Sequence, residues 1–175
     1  LCGIATMTRR YVDEVEGTGV TILDTRKTTP GLRALEKYAV RMGGAVNHRM
    51  GLYDGILIKE NHIHASGGIS EALERVREGL TGDSRFVVVV EAATVGQVRE
   101  AMESGADRIL LDNMDVETLE DVVEMVRAGE GPELEASGGI TFEGLRDVAS
   151  TGVDFISIGA LTHSVRALDI SLLLR

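Results

Sequence analysis

The sequence has few of the features that mark secreted or membrane-spanning proteins. It contains a single cysteine, Cys2, so no disulfide can form within the chain, and a reducing compartment is expected. No apolar run approaches the roughly 20 residues that are needed to cross a bilayer, and no signal peptide opens the chain. We therefore expect a cytoplasmic protein with no membrane partner.

Basic residues are also scarce, because 18 Lys and Arg stand against 28 Asp and Glu, for a net charge of −10. A nucleic-acid-binding protein needs a basic face that neutralises phosphates, so we expect no nucleic-acid partner. A small anionic substrate remains compatible with this charge, since a pocket can be locally basic on an acidic protein. The length of 175 residues suits one domain with a sizeable core.

Short apolar segments alternate with amphipathic ones along the whole chain. The strand candidates are residues 20–24, 55–59, 86–91, 108–112, 133–137 and 154–159. Most are near-continuous apolar runs, as expected for parallel strands that are covered on both faces. Between them, Leu32, Leu35, Ala39 and Met42 recur at helical spacing ahead of the helix-ending pair 43–44, and residues 94–97 have the spacing of a capping box.

Six successive strand-to-helix steps predict a parallel sheet, which can be a barrel or an open doubly wound sheet. Polar residues follow nearly every strand, and the carboxyl ends of the strands are where α/β barrels build their sites. An open sheet would concentrate such residues near one switch point instead. We therefore predict a single α/β domain over residues 1–175, folded as a TIM-like parallel (β/α) barrel that is open or incomplete.

Basic side chains gather at the ends of the predicted strands. An exposed Arg-Lys pair is often only a solvated turn, and a lysine that closes a strand can extend its ammonium into solvent. Several such groups at one barrel mouth indicate an anion site instead. The predicted substrate-binding residues of this kind are Thr25, Arg26, Lys27, His48, Arg49 and Lys59.

Two carboxylates and two small-residue loops complete the predicted site. Glu91 and Asp112 end neighbouring strands, where each can cap a turn or both can hold Mg²⁺ and face a developing positive charge. The loops Ser137-Gly138-Gly139 and Gly159-Ala160 can be tight turns, or can lead into helices with backbone N–H groups that bind phosphate. The residues alone thus predict a barrel enzyme that acts on phosphorylated anions with a metal ion.

The chain also resembles the quinolinate phosphoribosyltransferase family in several segments that occur in the family's order. They are DTRKTTPGLR at 24–33, KYAVR at 37–41, NHR at 47–49, LIKENHI at 57–63, LDNM at 111–114, SGGI at 137–140 and GALTHS at 159–164. One departure lies around Glu91, where the family alternates acidic and apolar residues and this chain has Val-Val-Glu-Ala-Ala. The spacing to Asp112 nevertheless matches Glu91 to the family's acid.

The resemblance implies a Mg²⁺-dependent reaction of quinolinate with phosphoribosyl pyrophosphate, which gives nicotinate mononucleotide, pyrophosphate and CO₂. It implies catalytic roles for Lys59, Glu91 and Asp112, with the two acids also at the metal. It also implies that the basic residues above surround quinolinate and the pyrophosphate. The residues it assigns to the 5′-phosphate are Ser137, Gly138, Gly139, Gly159 and Ala160. A homodimer or higher homo-oligomer is the expected assembly.

The family also has an N-terminal α/β domain, which contributes a basic residue to the site of the partner subunit. Residues 1–175 contain no counterpart of it, and residues 1–6 match a position well inside the full-length family protein. We therefore expect the chain by itself to turn over substrate poorly. Two alternatives stay open: a related phosphoribosyltransferase acting on another aromatic acid such as nicotinate, and a non-catalytic barrel that binds phosphates.

Overall fold

Six short strands alternate with helices in the computed structural model, which describes residues 1–80 and 86–174. The strands are β1 (Thr21–Leu23), β2 (Ile56–Ile58), β3 (Val88–Ala92), β4 (Arg108–Asp112), β5 (Glu133–Ser137) and β6 (Phe155–Ser157). The helices are α1 (Cys2–Glu14), α2 (Arg33–Met42), α3 (Glu60–Ser66), α4 (Ile69–Gly79), α5 (Val95–Glu103), α6 (Val116–Arg127), α7 (Leu145–Ser150) and α8 (Ala160–His163).

All six strands are parallel and lie in one sheet in the order β1-β6-β5-β4-β3-β2. The two edge strands face a common cavity, because Leu23 of β1 and Ile56 of β2 line it together with Arg108 and Phe155. The sheet is therefore curled into a barrel that stays open between β1 and β2. Along that opening, the chain makes a single parallel bridge between Leu23 and Val46. The predicted open, TIM-like α/β barrel is confirmed.

Side-chain alternation along β5 separates residues of the apolar core from polar residues that line the barrel interior. On β5, Leu134 and Ala136 belong to the hydrophobic core between the sheet and the helices. The alternate residues Glu135 and Ser137 line a cavity inside the barrel. Because successive side chains of a strand point to opposite faces, every inward position near the carboxyl end of a strand can contribute to one site.

Helix α2 does not bury the face that its apolar spacing predicts. Leu35 and Met42 are 50% and 57% exposed, whereas Glu36 and Lys37 are buried beside Ala39. The buried polar side chains have partners, since Glu36 accepts a hydrogen bond from the backbone of Thr29 at 3.1 Å and Lys37 forms an ion pair. The partners that Glu36 and Lys37 find in other segments therefore determine which face of α2 is buried.

The other element predictions hold with small shifts. The bounds of β4 and β5 match the prediction, whereas β1, β2 and β6 are shorter than predicted and β3 is shifted to 88–92. Helix α5 begins as expected, with the Thr94 hydroxyl accepting from the Gln97 N–H at 3.2 Å, and Gly43 caps α2. Helix α3, directly after β2, was not predicted. Within the described ranges, no helix has the length and apolarity required to span a membrane.

Candidate active site

A cavity of about 450 Å³ lies at the carboxyl ends of the strands and brings most of the predicted site residues together. The predicted residues that line it are Thr25, Arg26, Lys27, His48, Arg49, Lys59, Glu91, Asp112, Ser137, Gly138 and Gly139. Leu57, Leu110, Asn113, Glu135 and Ser157 complete the wall. Cations, carboxylates and a glycine-rich turn thus share one cavity, which suits a ligand with several negative charges.

A buried ion pair holds the two loops that carry most of the cations. The Nζ atom of Lys37 lies 2.5 Å from Oδ1 of Asp24, and it also donates to the carbonyl of His48 at 2.8 Å. Asp24 further accepts from the Asn47 amide at 2.7 Å and from the His48 backbone N–H at 2.8 Å. Burial raises the pKa of Asp24 and lowers the pKa of Lys37, against the mutual attraction of the pair. The loop after β1 and the loop at 47–49 are thereby locked to α2.

Two arginines of the cavity lining each have a buried donor without a partner. The Nε–H groups of Arg26 and Arg49 are buried and have no hydrogen-bond partner within the described part of the chain. Arg49 is oriented by a 2.9 Å hydrogen bond from one terminal nitrogen to the carbonyl of Gly55. Burial and then the charge of Arg26 lower the pKa of Arg49, although a guanidinium stays protonated in proteins. Buried donors without a partner are costly, so these two side chains are candidates to bind an anionic ligand.

A fully buried carboxylate, Glu135, forms part of the cavity floor. Its Oε2 atom lies 3.4 Å from a terminal nitrogen of Arg108 and 3.6 Å from Nε2 of His48, the latter being an ion-pair distance rather than a hydrogen bond. Burial alone would raise the pKa of Glu135, but interactions with His48, then Ser157 and Arg108, outweigh it and hold the pKa below its usual range. The other ring nitrogen of His48, Nδ1, accepts the Arg49 backbone N–H at 2.7 Å.

Lys59 and Glu91 face each other across the mouth of the cavity. Their charged atoms are 2.7 Å apart, and the Lys59 side chain is 52% exposed, so the pair adds little to stability. The Lys59 backbone N–H donates to Nδ1 of His62 at 3.0 Å in the capping box of α3. His62 therefore orients the strand end that carries the lysine.

Asp112 is placed by an unusual backbone turn. Asn113 has a positive φ of 55°, its N–H donates to the Ser137 carbonyl at 2.9 Å, and its side-chain amide donates to Asp112 at 3.3 Å. Gly138 has a φ of 92°, and a Cβ there would lie 2.5 Å from the amide oxygen of Asn113. Only glycine fits this approach, so the turn after β4 and the turn after β5 form one unit.

The acid pair suits a metal ion that is shared with a phosphorylated substrate. No group of three or more potential metal ligands occurs among residues 1–80 and 86–174. Mg²⁺ is commonly held by one or two carboxylates together with substrate phosphates rather than by a cage of protein ligands. Glu91 and Asp112 fit that pattern because both line the same cavity.

The remaining predicted residues, Gly159 and Ala160, lie outside the cavity lining. A Cβ at Gly159 would approach the Lys27 side chain to 3.3 Å, and the Thr162 hydroxyl donates to the Lys27 carbonyl at 2.6 Å. In this structure the segment therefore packs against the loop that carries Lys27. The loop at 137–139 is followed by α7, as expected, but the helix begins only at Leu145, so the turn is not adjacent to the helix end. Any anion at that turn would be held by backbone N–H groups and not by a helix end.

Several residues that build the site were not assigned by the sequence analysis. They are Lys37, Asn47, Asn113, Glu135 and Thr162. Lys37, Asn47, Asn113 and Thr162 lie within the segments that carry the family resemblance, so their presence there was the available signal. For Glu135 the available signal was its spacing. It lies two positions before Ser137, so the two side chains must lie on the same face of β5.

Comparison with known proteins agrees with this geometry. Residues 4–173 match the family model described as quinolinate phosphoribosyl transferase, C-terminal domain. The probable nicotinate-nucleotide pyrophosphorylase (carboxylating) of Bacillus subtilis (strain 168) is 51% identical over 172 residues, which cover 98% of this chain and 58% of that protein. Quinolinate phosphoribosyltransferase (decarboxylating) 1b of Nicotiana tabacum is 45% identical over 188 residues, covering 98% and 53%.

A solved structure shows the same likeness in three dimensions. Nicotinate-nucleotide pyrophosphorylase from Francisella tularensis is similar with a TM-score of 0.90 and 43% identity. The match covers 97% of this chain and 59% of that chain. The chain thus spans a little over half the length of the relatives it matches.

Proposed function

The chain belongs to the quinolinate phosphoribosyltransferase family, as its C-terminal domain, and we propose that it is the catalytic barrel of an enzyme that forms nicotinate mononucleotide. The proposed reaction joins quinolinate to the ribose of phosphoribosyl pyrophosphate and releases pyrophosphate and CO₂. The proposal extends to a cytoplasmic homodimer or higher homo-oligomer, the assembly that the family resemblance implies.

The observation that carries this proposal is the pair of buried, unpartnered Nε–H groups of Arg26 and Arg49 in one cavity with Lys27 and Lys59. Quinolinate has two adjacent carboxylates, and binding them away from water requires fixed cations with forked donors. A monocarboxylate would leave part of this donor set unsatisfied. The site therefore favours quinolinate over nicotinate as the aromatic acid.

The acids support the transfer of the ribosyl group. Breaking the bond between ribose C1 and the pyrophosphate oxygen develops oxocarbenium character, which the carboxylates of Glu91 and Asp112 stabilise. The same two residues would hold a Mg²⁺ ion, which offsets the negative charge on the leaving pyrophosphate. Lys59, which the structure pairs with Glu91, supplies a further cation at the mouth for an anionic substrate.

The loss of CO₂ needs no covalent help from the protein. Once the pyridine nitrogen carries ribose it is positively charged, and this charge stabilises the carbanion left when the adjacent carboxylate departs as CO₂. A proton from water then adds to that carbon and gives nicotinate mononucleotide. The turn of Ser137, Gly138 and Gly139 offers backbone N–H groups for the 5′-phosphate of the same nucleotide. Binding, orientation and charge are therefore the main contributions that the proposal asks of this chain.

The function is tested by release of labelled CO₂ from carboxyl-labelled quinolinate in the protein that carries this chain. We expect release that requires phosphoribosyl pyrophosphate and Mg²⁺, with nicotinate a poor competitor. Preference for nicotinate would identify a phosphoribosyltransferase of another aromatic acid. Phosphate binding without turnover of either acid would leave a non-catalytic barrel and overturn the proposal.

Arg49→Ala should weaken quinolinate binding by about 1.5–3 kcal/mol, the range for hydrogen bonds to charged groups. Arg49→Lys should also weaken it, because a point charge does not replace a planar fork. Titration calorimetry measures both variants. The matched control is Arg99→Ala, which removes an exposed arginine on α5. Wild-type affinity in both Arg49 variants would contradict the assignment of this side chain.

A further inference from the structure

The floor of the cavity contains a negative charge that the proposed reaction does not use. Glu135 is 0% exposed, sits on β5 two residues before the phosphate-binding turn, and lines the cavity beneath His48 and Arg49. A carboxylate below an anion site opposes anion binding through its charge. Burying it is also costly unless it is paired, so its presence calls for a compensating role.

Glu135 contacts Arg108 on one side and the cavity-lining His48 on the other. On one side, Arg108 lies 3.4 Å from its Oε2 atom and stacks over Phe155 at 3.7 Å, which makes a rigid base. On the other side, Nε2 of His48 lies 3.6 Å from the same oxygen. The carboxylate thus stands between a fixed guanidinium and a cavity-lining imidazole.

The ring of His48 has its two nitrogens directed at different partners. Nδ1 accepts the backbone N–H of Arg49 at 2.7 Å, so it carries no proton in this geometry. The proton of the neutral ring is then on Nε2, where it points at Glu135. His48 therefore links the buried carboxylate to the backbone of Arg49.

We propose that Glu135 is a positioning residue for His48 and Arg49: its carboxylate orients the His48 imidazole, which in turn orients the backbone of Arg49. This keeps the Arg49 guanidinium aimed at the carboxylates of quinolinate, and in naming that ligand it rests on the proposed function. Arg108 offsets the charge of Glu135, so the anion site tolerates it. The free-energy cost of burying Glu135 is then part of what it takes to hold the anion site in its binding geometry before the ligand arrives.

The first test needs no substrate. Two-bond ¹H–¹⁵N correlation spectra report which ring nitrogen is protonated, and the chain has only four histidines. The His48 signals are identified by their loss in His48→Asn. At about pH 8, above the usual pKa of histidine, we expect the wild-type ring to be protonated on Nε2 and bare on Nδ1. A ring protonated on Nδ1 would overturn the proposal, whatever the enzyme activity.

The second test compares quinolinate affinity in three variants of the protein that carries this chain. Glu135→Leu should raise the dissociation constant about tenfold or more, because the carboxylate that faces Nε2 of His48 at 3.6 Å is lost and the ring is no longer held in place. Glu135→Gln keeps an oxygen facing His48 and should retain most of the affinity. Glu133→Leu is the matched control, since Glu133 binds the same arginine from the same strand and is half-exposed; it should change affinity less than about twofold.

The outcomes separate the possible roles of Glu135. If its charge only repelled the ligand, Glu135→Leu would bind quinolinate as tightly as the wild type or more tightly, and the proposal would fail. If Glu135→Leu does not fold, the quinolinate affinity of Glu135→Gln and the ring spectrum of wild-type His48 decide. Neither measurement requires a protein that departs far from the native structure. If the wild type binds no quinolinate, the proposed function fails while the tautomer measurement still tests the positioning of His48.

Discussion

Replacing Lys37 with methionine should lower the free energy of unfolding by about 3–5 kcal/mol, the range for removing one partner of a buried ion pair. Lys37 and Asp24 are almost fully buried and 2.5 Å apart, so the substitution leaves an uncompensated carboxylate in the interior. Denaturation in urea with a linear extrapolation measures the loss. The same variant should weaken anion binding, because the backbone carbonyl of His48 loses its contact with the lysine.

Two controls isolate the buried charge. Arg9 and Asp13 form an exposed pair at 3.5 Å, and Arg9→Met should cost less than about 1 kcal/mol. Adding Asp24→Asn to Lys37→Met removes the unpaired charge, so the double variant should be more stable than Lys37→Met alone. A Lys37→Met protein within about 1 kcal/mol of the wild type would show that the pair is not charged in the folded state.

Asp112→Asn should reduce kcat by about 10²–10³ in the protein that carries this chain, the range for loss of one preorganised electrostatic group. KM for quinolinate should change little, because the oxocarbenium charge that Asp112 faces exists mainly in the transition state. Glu91→Gln should have a similar effect on kcat. Steady-state kinetics with quinolinate and phosphoribosyl pyrophosphate give both parameters.

Comparing the two variants separates stabilisation of the transition state from release of Lys59. Glu91 is paired with Lys59 at 2.7 Å, so Glu91→Gln also frees the lysine, whereas Asp112→Asn leaves that pair intact. Glu103→Gln, at the exposed end of α5, is the surface control. A variant in which KM rises while kcat is unchanged would assign that acid to ground-state binding instead.

The succession of elements followed from local patterns in the chain. The segments 108–112 and 133–137 are strands with the predicted bounds, and Thr94 caps α5 as its spacing indicated. Such features depend on local backbone hydrogen bonding and on which residues are apolar. Both are determined by residues that are close together in the chain. The segments that resemble the family likewise contain most of the residues that line the cavity.

The α2 helix shows where local patterns mislead. Its apolar spacing indicated that Leu35 and Met42 are buried, but both are exposed, while Lys37 and Glu36 are buried. Periodicity assumes that charged side chains face water, and this assumption fails when partners from distant segments satisfy them. Asp24, which makes this rotation possible, is 13 residues away in the chain.

The sequence was enough to predict the alternation of strands and helices, the net negative charge with basic residues gathered at strand ends, and the position of Glu91 and Asp112 near the ends of neighbouring strands. Those properties depend on residue type and short-range spacing. The opening between β1 and β2, the burial of the Lys37–Asp24 pair, and the contact of Glu135 with His48 arose only in three dimensions. Each joins residues from separate strands or helices, and their distances depend on how the sheet curls and how the helices pack, which no local spacing encodes.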